Sequence, residues 1–489
     1  MNVFSGLILA IYLVGVFAIG LKTGKGGSES EEAYFTGNKG FGPWATAISA
    51  GATNSSGWIF IGACGWAFQV GLYSMWMMVG FIFGAMIDMF FMAPRLRAQG
   101  KKLRALNVSD YLEKRLQTEW GVSKESHSVR VVAACLLVLF FIPYMAAQLT
   151  STGKTIQTIV SIDYNVGLIF GAVFVVGFCY FGGYKSVIYT DLTQGLIMMA
   201  VFIFAPIMLI FGLLGGWTSF WQQLIAIDPL LATPAFGSTG IAGAGLIFGW
   251  ICYGVGQAGQ PHIQQRYLTA KDDNTIKSAT YIMLAWNIIG MEGSNLLGLI
   301  GRVLMPDISD PEFIFPAMVV HYGHPIFVGI VIAAIISAIA STYSSQLMVA
   351  VQAISSDLLH SFSKKERTQK ELVKISQVTM IVMGIISTGI ALLNVDSVFR
   401  LVNYAWSATA SAFGPMELYM LAKPKLCNRE GAIAGMITGG VVSTAWYAAG
   451  LSGIIHEILP GILAALIIIP LVTKATAHKY NKVPGEKAN

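Results

Sequence analysis

Two stretches of this chain carry side chains of the type and spacing that hold a hard cation. The first is Gly51-Ala52-Thr53-Asn54-Ser55-Ser56-Gly57, set inside a long apolar run. Poor helix formers are mixed there with side chains that compete for backbone hydrogen bonds, so the run reads as a broken membrane helix. Backbone freed at membrane depth must be covered by protein or line a water-filled cavity, and its carbonyls, with nearby hydroxyls, make a nest for a cation. The second stretch is Ala338-Ile339-Ala340-Ser341-Thr342-Tyr343-Ser344-Ser345-Gln346. Residues 338, 341, 342 and 345 recur at i, i+3, i+4 and i+7, so one helical face presents a small side chain and then Ser and Thr hydroxyls. Each stretch has a purely structural reading as well. The first reads equally as a kinked helix whose small residues allow close packing, the second as a packing stripe with its hydroxyls bonded one turn back.

A third stretch, Gly249 to Pro261, is as hostile to helix as the first. Paired interruptions at corresponding positions of two helix sets point to a binding site at the membrane midplane in transporters built from inverted repeats. Glycine is frequent in membrane helices, which accounts for either interruption alone but poorly for their matched positions. Ionisable residues inside apolar runs are costly and functional by default. Asp191, opening a run after Tyr189-Thr190, suits a helix N-terminus or an ion path. Asp88 and Glu417 lie toward the inner ends of their runs, where interfacial water can solvate them, and Glu292 lies deeper without an evident partner.

The elements that must position these residues are membrane spans. Of 489 residues 55% are hydrophobic and 11% charged, against about 25% charged in soluble domains. Runs long enough to cross a bilayer, about 20 residues each, fall near 3–21, 44–70, 72–94, 129–152, 163–183, 191–215, 240–258, 278–304, 326–357, 374–394, 398–422, 430–451 and 457–473. These thirteen spans predict an all-α polytopic membrane protein. All but Lys154, Arg302 and Arg400 of the 31 Lys and Arg fall in 22–43, 95–130, 184–190, 259–277, 359–374, 423–429 or the tail from 474. Those segments are therefore expected in the cytoplasm, with the N-terminus outside and the C-terminus inside the cell membrane. The segment 95–130 reads as carrying a capped surface helix after Asn107, and the outer connections 216–239 and 305–325 as carrying short interfacial helices.

The net charge of +6 belongs to these loops and not to a nucleic-acid surface. The five cysteines show neither pairing nor metal spacing. No cleavable signal peptide is read at the N-terminus. The chain has no P-loop, no HExxH and no GxGxxG between a strand and a helix, and no chemical step is expected of it.

The stretches Ser49–Trp58, Phe181–Asp191, Gly259–Asp272, Ser337–Leu347 and Leu401–Pro415, in this order, resemble the solute:sodium symporter family, and within it the sodium/proline symporters. The resemblance implies the leucine-transporter-type fold with two inverted five-helix repeats. On this chain that is an extra helix at 3–21, repeats at 44–215 and 240–422, extra helices at 430–473 and a tail at 474–489, in one transmembrane domain. It also implies a sodium site on the carbonyls of Ala52, Ser55 and Ala338 and the hydroxyls of Ser341 and Thr342, and a solute site drawing on Trp58, Tyr144, Tyr253 and Gln257. Neutral oxygens suit a monovalent ion that must also leave. Lys39 matches a basic residue at the cytoplasmic mouth of the second span. Three positions depart from the proline symporters: Asn54 replaces an aspartate beside the ion site, and Tyr253 and Gln257 replace Trp and Tyr.

The expectation is a sodium-coupled importer of a small polar solute, foremost an amino acid, with the ion, the solute and the bilayer as its partners. Pantothenate, a betaine, a carboxylate or a sugar are other solutes the pattern allows, and a proton is another coupling ion. A membrane sensor that keeps the fold without transporting is the rival of a different class; the absence of any attached signalling motif counts against it.

Overall fold

The computed structural model describes residues 2–363, 367–394 and 396–480, so parts of the expected loop 359–374 and tail 474–489 lie outside the described residues. Helices dominate it; the described residues hold no strand, only one parallel bridge between Phe41 and Ala270. The helices used below are α1 (Val3–Thr23), α2 (Pro43–Ser55), α3 (Gly62–Val70), α4 (Met75–Ile87), α5 (Ser128–Thr155), α6 (Tyr164–Gly212) and α7 (Gly240–Val255). They continue as α8 (Pro261–Thr269), α9 (Asp273–Leu304), α10 (Pro325–Gln352), α11 (Gln369–Leu392), α12 (Val398–Ala422), α13 (Arg429–Ala448) and α14 (Ile458–Thr476). Among the described residues, eight helical segments are long and apolar enough to cross a membrane.

Both expected interruptions are present. Pro43 opens α2 behind Gly42, and the helix ends at Ser56, which adopts φ 54° and ψ 175°. That conformation is costly for a residue with a Cβ. Two local bonds hold it: Ser56 Oγ accepts from Trp58 N at 3.1 Å, and Gly57 N donates to Gln148 Oε1 at 2.9 Å. A turn at Gly57–Ile59 then leads into α3. In the other half, α7 gives way to a 3-10 turn at Gly256–Gly259, Gln260 is extended, and Pro261 starts α8. The apolar stretch ends at Gly259, close to the expected 258, but the helical path resumes after the break and runs on to Thr269. Spans five and six run together as the 49-residue α6, whose helical backbone is interrupted only at Gly183 (φ 57°, ψ −158°). A straight helix of that length would extend about 74 Å, more than twice a bilayer core of about 30 Å; the interruption divides it.

Burial ranks the helices. The most apolar window of α10 is 83% buried, against 28% for α1 and α14, so α10 runs through the centre and the other two lie at the periphery. The crossing of α4 and α7 is unusually close: a Cβ on Gly84 would sit 2.2 Å from Gly254 O, and one on Gly254 2.0 Å from Gly80 C. Only glycine fits, and the approach sets Asp88, one turn past Gly84, beside Gln257.

Helix Val108–Trp120 begins at Asn107 as expected, with Asp110 N bonded to Asn107 Oδ1 at 2.7 Å. One face of this helix, with Tyr111 and Leu112, is fully buried, while Thr118 on the other is exposed. The connections 216–239 and 305–325 carry the helices Trp217–Ile227 and Ile314–Tyr322.

Candidate functional site

The break after α2 faces the hydroxyl stripe of α10. Ser341 Oγ lies 3.2 Å from Ala52 O and 3.1 Å from Ala338 O, so three of the expected cation ligands converge. Thr342 Oγ1 donates to Thr53 O at 2.7 Å, a carbonyl one residue along from the expected ligand Ala52. Ser55 Oγ turns back to Gly51 O at 2.9 Å and accepts from Trp286 Nε1 at 3.1 Å. Gly51 is obligatory here, since a Cβ would lie 2.3 Å from the Trp286 ring. The donor set is neutral oxygen throughout, and rotating two hydroxyl hydrogens outward would free their lone pairs; the residues fit a small monovalent cation.

One turn nearer the α2 N-terminus lies a buried ion pair. Asp191 Oδ2 accepts from Ser49 Oγ at 2.6 Å, Thr53 Oγ1 at 3.4 Å and Arg266 Nη2 at 3.0 Å. Arg266 also donates to Thr53 Oγ1 at 3.0 Å, to Ser49 Oγ at 3.1 Å and to Ser345 Oγ. Both side chains are fully buried. Asp191 is thus no helix cap: α6 runs through it unbroken from Gly183, and its carboxylate is held by a resident guanidinium.

On the other side of α2 is a layer of amides and acids. Asn54 Nδ2 donates to Gln257 Oε1 and to Asn287 Oδ1, each at 3.1 Å. Gln257 Nε2 reaches Asp88 Oδ2 at 3.5 Å, and Tyr267 OH donates to the same oxygen at 2.6 Å. Glu417 accepts from Gln264 on α8. Asp88 and Glu417 are fully buried, which corrects the expectation of interfacial solvation: protein packs around both carboxylates. Glu292 is partly exposed.

One turn before Gln257, Tyr253 belongs to an aromatic layer. Its ring centroid lies 6.3 Å from Trp58 and 5.6 Å from Phe81, and Trp58 stacks on Phe399 at 6.3 Å. Tyr253 OH donates to Asn403 Oδ1 at 2.7 Å, and Asn403 lines a cavity of about 590 Å³ with Trp66, Trp250, Phe399 and His456. Tyr144 packs edge-on to His262, centroids 6.1 Å apart, beside the two breaks. Trp58, Tyr253 and Tyr144 thus gather around the interruptions, with Gln257 one layer below. Lys39 stands apart, at φ 59°, with Nζ bonded to Ala105 O at 3.0 Å. Burial there lowers the pKa of its ammonium group.

The family model for the sodium:solute symporter family matches residues 34–439. The chain belongs to this family. The symporter is 34% identical over 487 residues to the osmoregulated proline transporter OpuE of Bacillus subtilis (strain 168), covering 98% of this chain and 96% of that one. It is 32% identical over 494 residues to the sodium/proline symporter of Staphylococcus aureus (strain NCTC 8325 / PS 47), covering 98% and 93%. Among solved structures it is similar to a Na+-coupled sialic acid symporter in a substrate-bound outward-open state, with TM-score 0.78, 20% identity and 97% and 98% coverage. It is also similar to MHP1, a nucleobase-cation-symport-1 family transporter, with TM-score 0.55, 14% identity and 92% and 95% coverage. The fold is therefore that of the leucine-transporter-type sodium symporters.

Several groups of the symporter's interior escaped the sequence reading. Arg266 stood in a segment read as a cytoplasmic loop, whereas it is a buried residue of α8. Gln148 and Asn287 sit at the breaks without any motif to mark them. The mark they do carry is being polar within apolar runs.

Proposed function

We propose that this symporter imports a small polar amino acid together with sodium by alternating access, in a cell membrane it crosses thirteen times, N-terminus outside and C-terminus inside. In this reading 44–215 and 240–422 are the inverted repeats, and each contributes one broken helix, α2/α3 and α7/α8. Sodium sits on Ala52, Ser55, Ala338, Ser341 and Thr342. The observation that carries the reading is the convergence of Ala52 O, Ala338 O and Ser341 Oγ where the broken helix meets α10. An ion there draws α2 against α10 and so favours the arrangement that binds solute; by reciprocity solute tightens the ion.

The solute site is proposed beside the breaks, under the aromatic layer of Trp58 and Tyr253 and next to Tyr144 and Gln257. Trp58 Nε1, Gln148 Nε2, Gln260 Oε1 and both ring nitrogens of His262 are buried there with no protein partner. Buried polar atoms are rarely left unpaired, and a solute bearing donors and acceptors would pair them. Proline is proposed to be a poor fit, because Gln257 and Tyr253 stand where the proline symporters have Tyr and Trp, and the Gln257 amide, bonded to Asn54 and Asp88, leaves a polar layer in place of an aromatic face for the pyrrolidine ring. Uptake into proteoliposomes tests the reading: an inward sodium gradient should drive accumulation of serine or alanine, and an equal potassium gradient should not. Accumulation indifferent to sodium would overturn it.

A further inference from the structure

Asp88 is a fully buried carboxylate without a counter-charge. Its Oδ2 accepts from Tyr267 OH at 2.6 Å and from Gln257 Nε2 at 3.5 Å, while Oδ1 has no partner. Asn54 Oδ1, at the far end of the same chain of bonds, is also unpartnered and buried. No ion pair reaches Asp88 among the described residues. From the elements around it come Asn54 on α2, Gln257 before α8, Tyr267 on α8 and Asn287 on α9, all neutral. The next buried charge is of the same sign: Glu417, on the other side of the 257–267 stretch, repels Asp88. Arg266 is turned away and committed to Asp191.

A lone carboxylate in such a place is expensive unless a cation or a proton joins it. The unpaired Asp88 Oδ1 lies on a carboxylate whose other oxygen is held by the Tyr267 hydroxyl, which gives hard oxygens with one negative charge, and the unpaired Asn54 Oδ1 ends the chain of bonds that runs from it through Gln257. We propose that Asp88, with Asn54, Gln257 and Tyr267, forms a second cation-binding position, separate from the frame on α2 and α10, for one small monovalent cationic group. Two sources have this chemistry: a second sodium ion, or the ammonium group of the solute. The second source rests on the function proposed above; the first does not. A proton would instead leave a neutral acid, which asparagine imitates in shape and charge.

The test counts radioactive sodium bound to purified, solute-free protein in detergent, with choline chloride holding ionic strength. If the group is sodium, wild type binds two ions per chain, Asp88→Asn one, and Ser341→Ala loses the other. Asn54→Asp/Asp88→Asn, which moves the carboxylate to the other end of the same bond chain, restores two; a merely structural acid would not be rescued so. If wild type and Asp88→Asn bind one ion alike, the solute arm decides. Serine and alanine should then bind at least tenfold more weakly to Asp88→Asn, while glycerate and lactate, which lack the amine, are unaffected. An Asp88→Asn protein of unchanged Tm with neither effect overturns the proposal, and the acid is then protonated. Absence of sodium-driven uptake would refute the symport reading and leave the ion count standing.

Discussion

Ser341 and Thr342 each spend a hydroxyl on a carbonyl of α2, and the two substitutions to alanine separate an ion site from a packing stripe. Losing one neutral ligand to a charged species costs about 1.5–3 kcal/mol, or roughly tenfold or more in affinity. We expect Ser341→Ala and Thr342→Ala to raise the sodium concentration for half-maximal uptake by that factor, with protein in the membrane nearly unchanged. A packing stripe would show the reverse: less protein and the same sodium dependence. Gln257 is the second residue to test. Its carbonyl oxygen is held by Asn54 and its nitrogen by Asp88, so Gln257→Tyr removes two buried bonds and brings in an apolar face. We expect unlabelled proline to compete poorly on wild type and better, relative to serine, on Gln257→Tyr. An unaltered ranking would place Gln257 outside the solute site.

At the scale of elements, α8 carries Arg266, whose pair with Asp191 of α6 and bonds to Ser49, Thr53 and Ser345 fix the broken seventh span to α2, α6 and α10. Removing one partner of a buried pair costs about 3–5 kcal/mol, whereas replacing both with apolar groups is often neutral. We therefore expect Arg266→Met to lower Tm markedly and Arg266→Met/Asp191→Leu to recover much of the loss. A double variant no more stable than the single would mean that the pair is not a coupled unit. This helix also shows where sequence reading stops. The breaks within 51–57 and 249–261 were legible because glycines cluster there with Asn, Ser, Gln or Pro at matched positions of two spans. The sequence of α8, PHIQQRYLT, reads as a polar loop. What makes it a buried helix is that other helices, and not lipid, cover it. That depends on packing between distant segments, as does the pairing of Arg266 with Asp191, 75 residues away. The same holds for Asp88 and Glu417, whose positions near helix ends suggested water, and whose burial comes from α8 folding over them.

For the whole molecule, orientation is the property that the basic residues set and that contacts cannot. With the exposed Cys135 replaced, cysteines at the exposed positions Lys124 and Lys370 should react with an impermeant maleimide only from the cytoplasmic side, and one at Thr239 only from outside. Labelling of Lys370→Cys from outside would break the proposed thirteen-span topology. Trp286, which donates to Ser55 and presses on Gly51, has a consequence of another kind. Its indole is a chromophore beside the proposed ion site, and a charge arriving next to it must shift its emission energy. Sodium should therefore alter the intrinsic fluorescence of the unlabelled protein saturably, lithium or potassium differently, and Trp286→Phe should abolish the larger part of the signal. The symporter would then report its own ion occupancy optically.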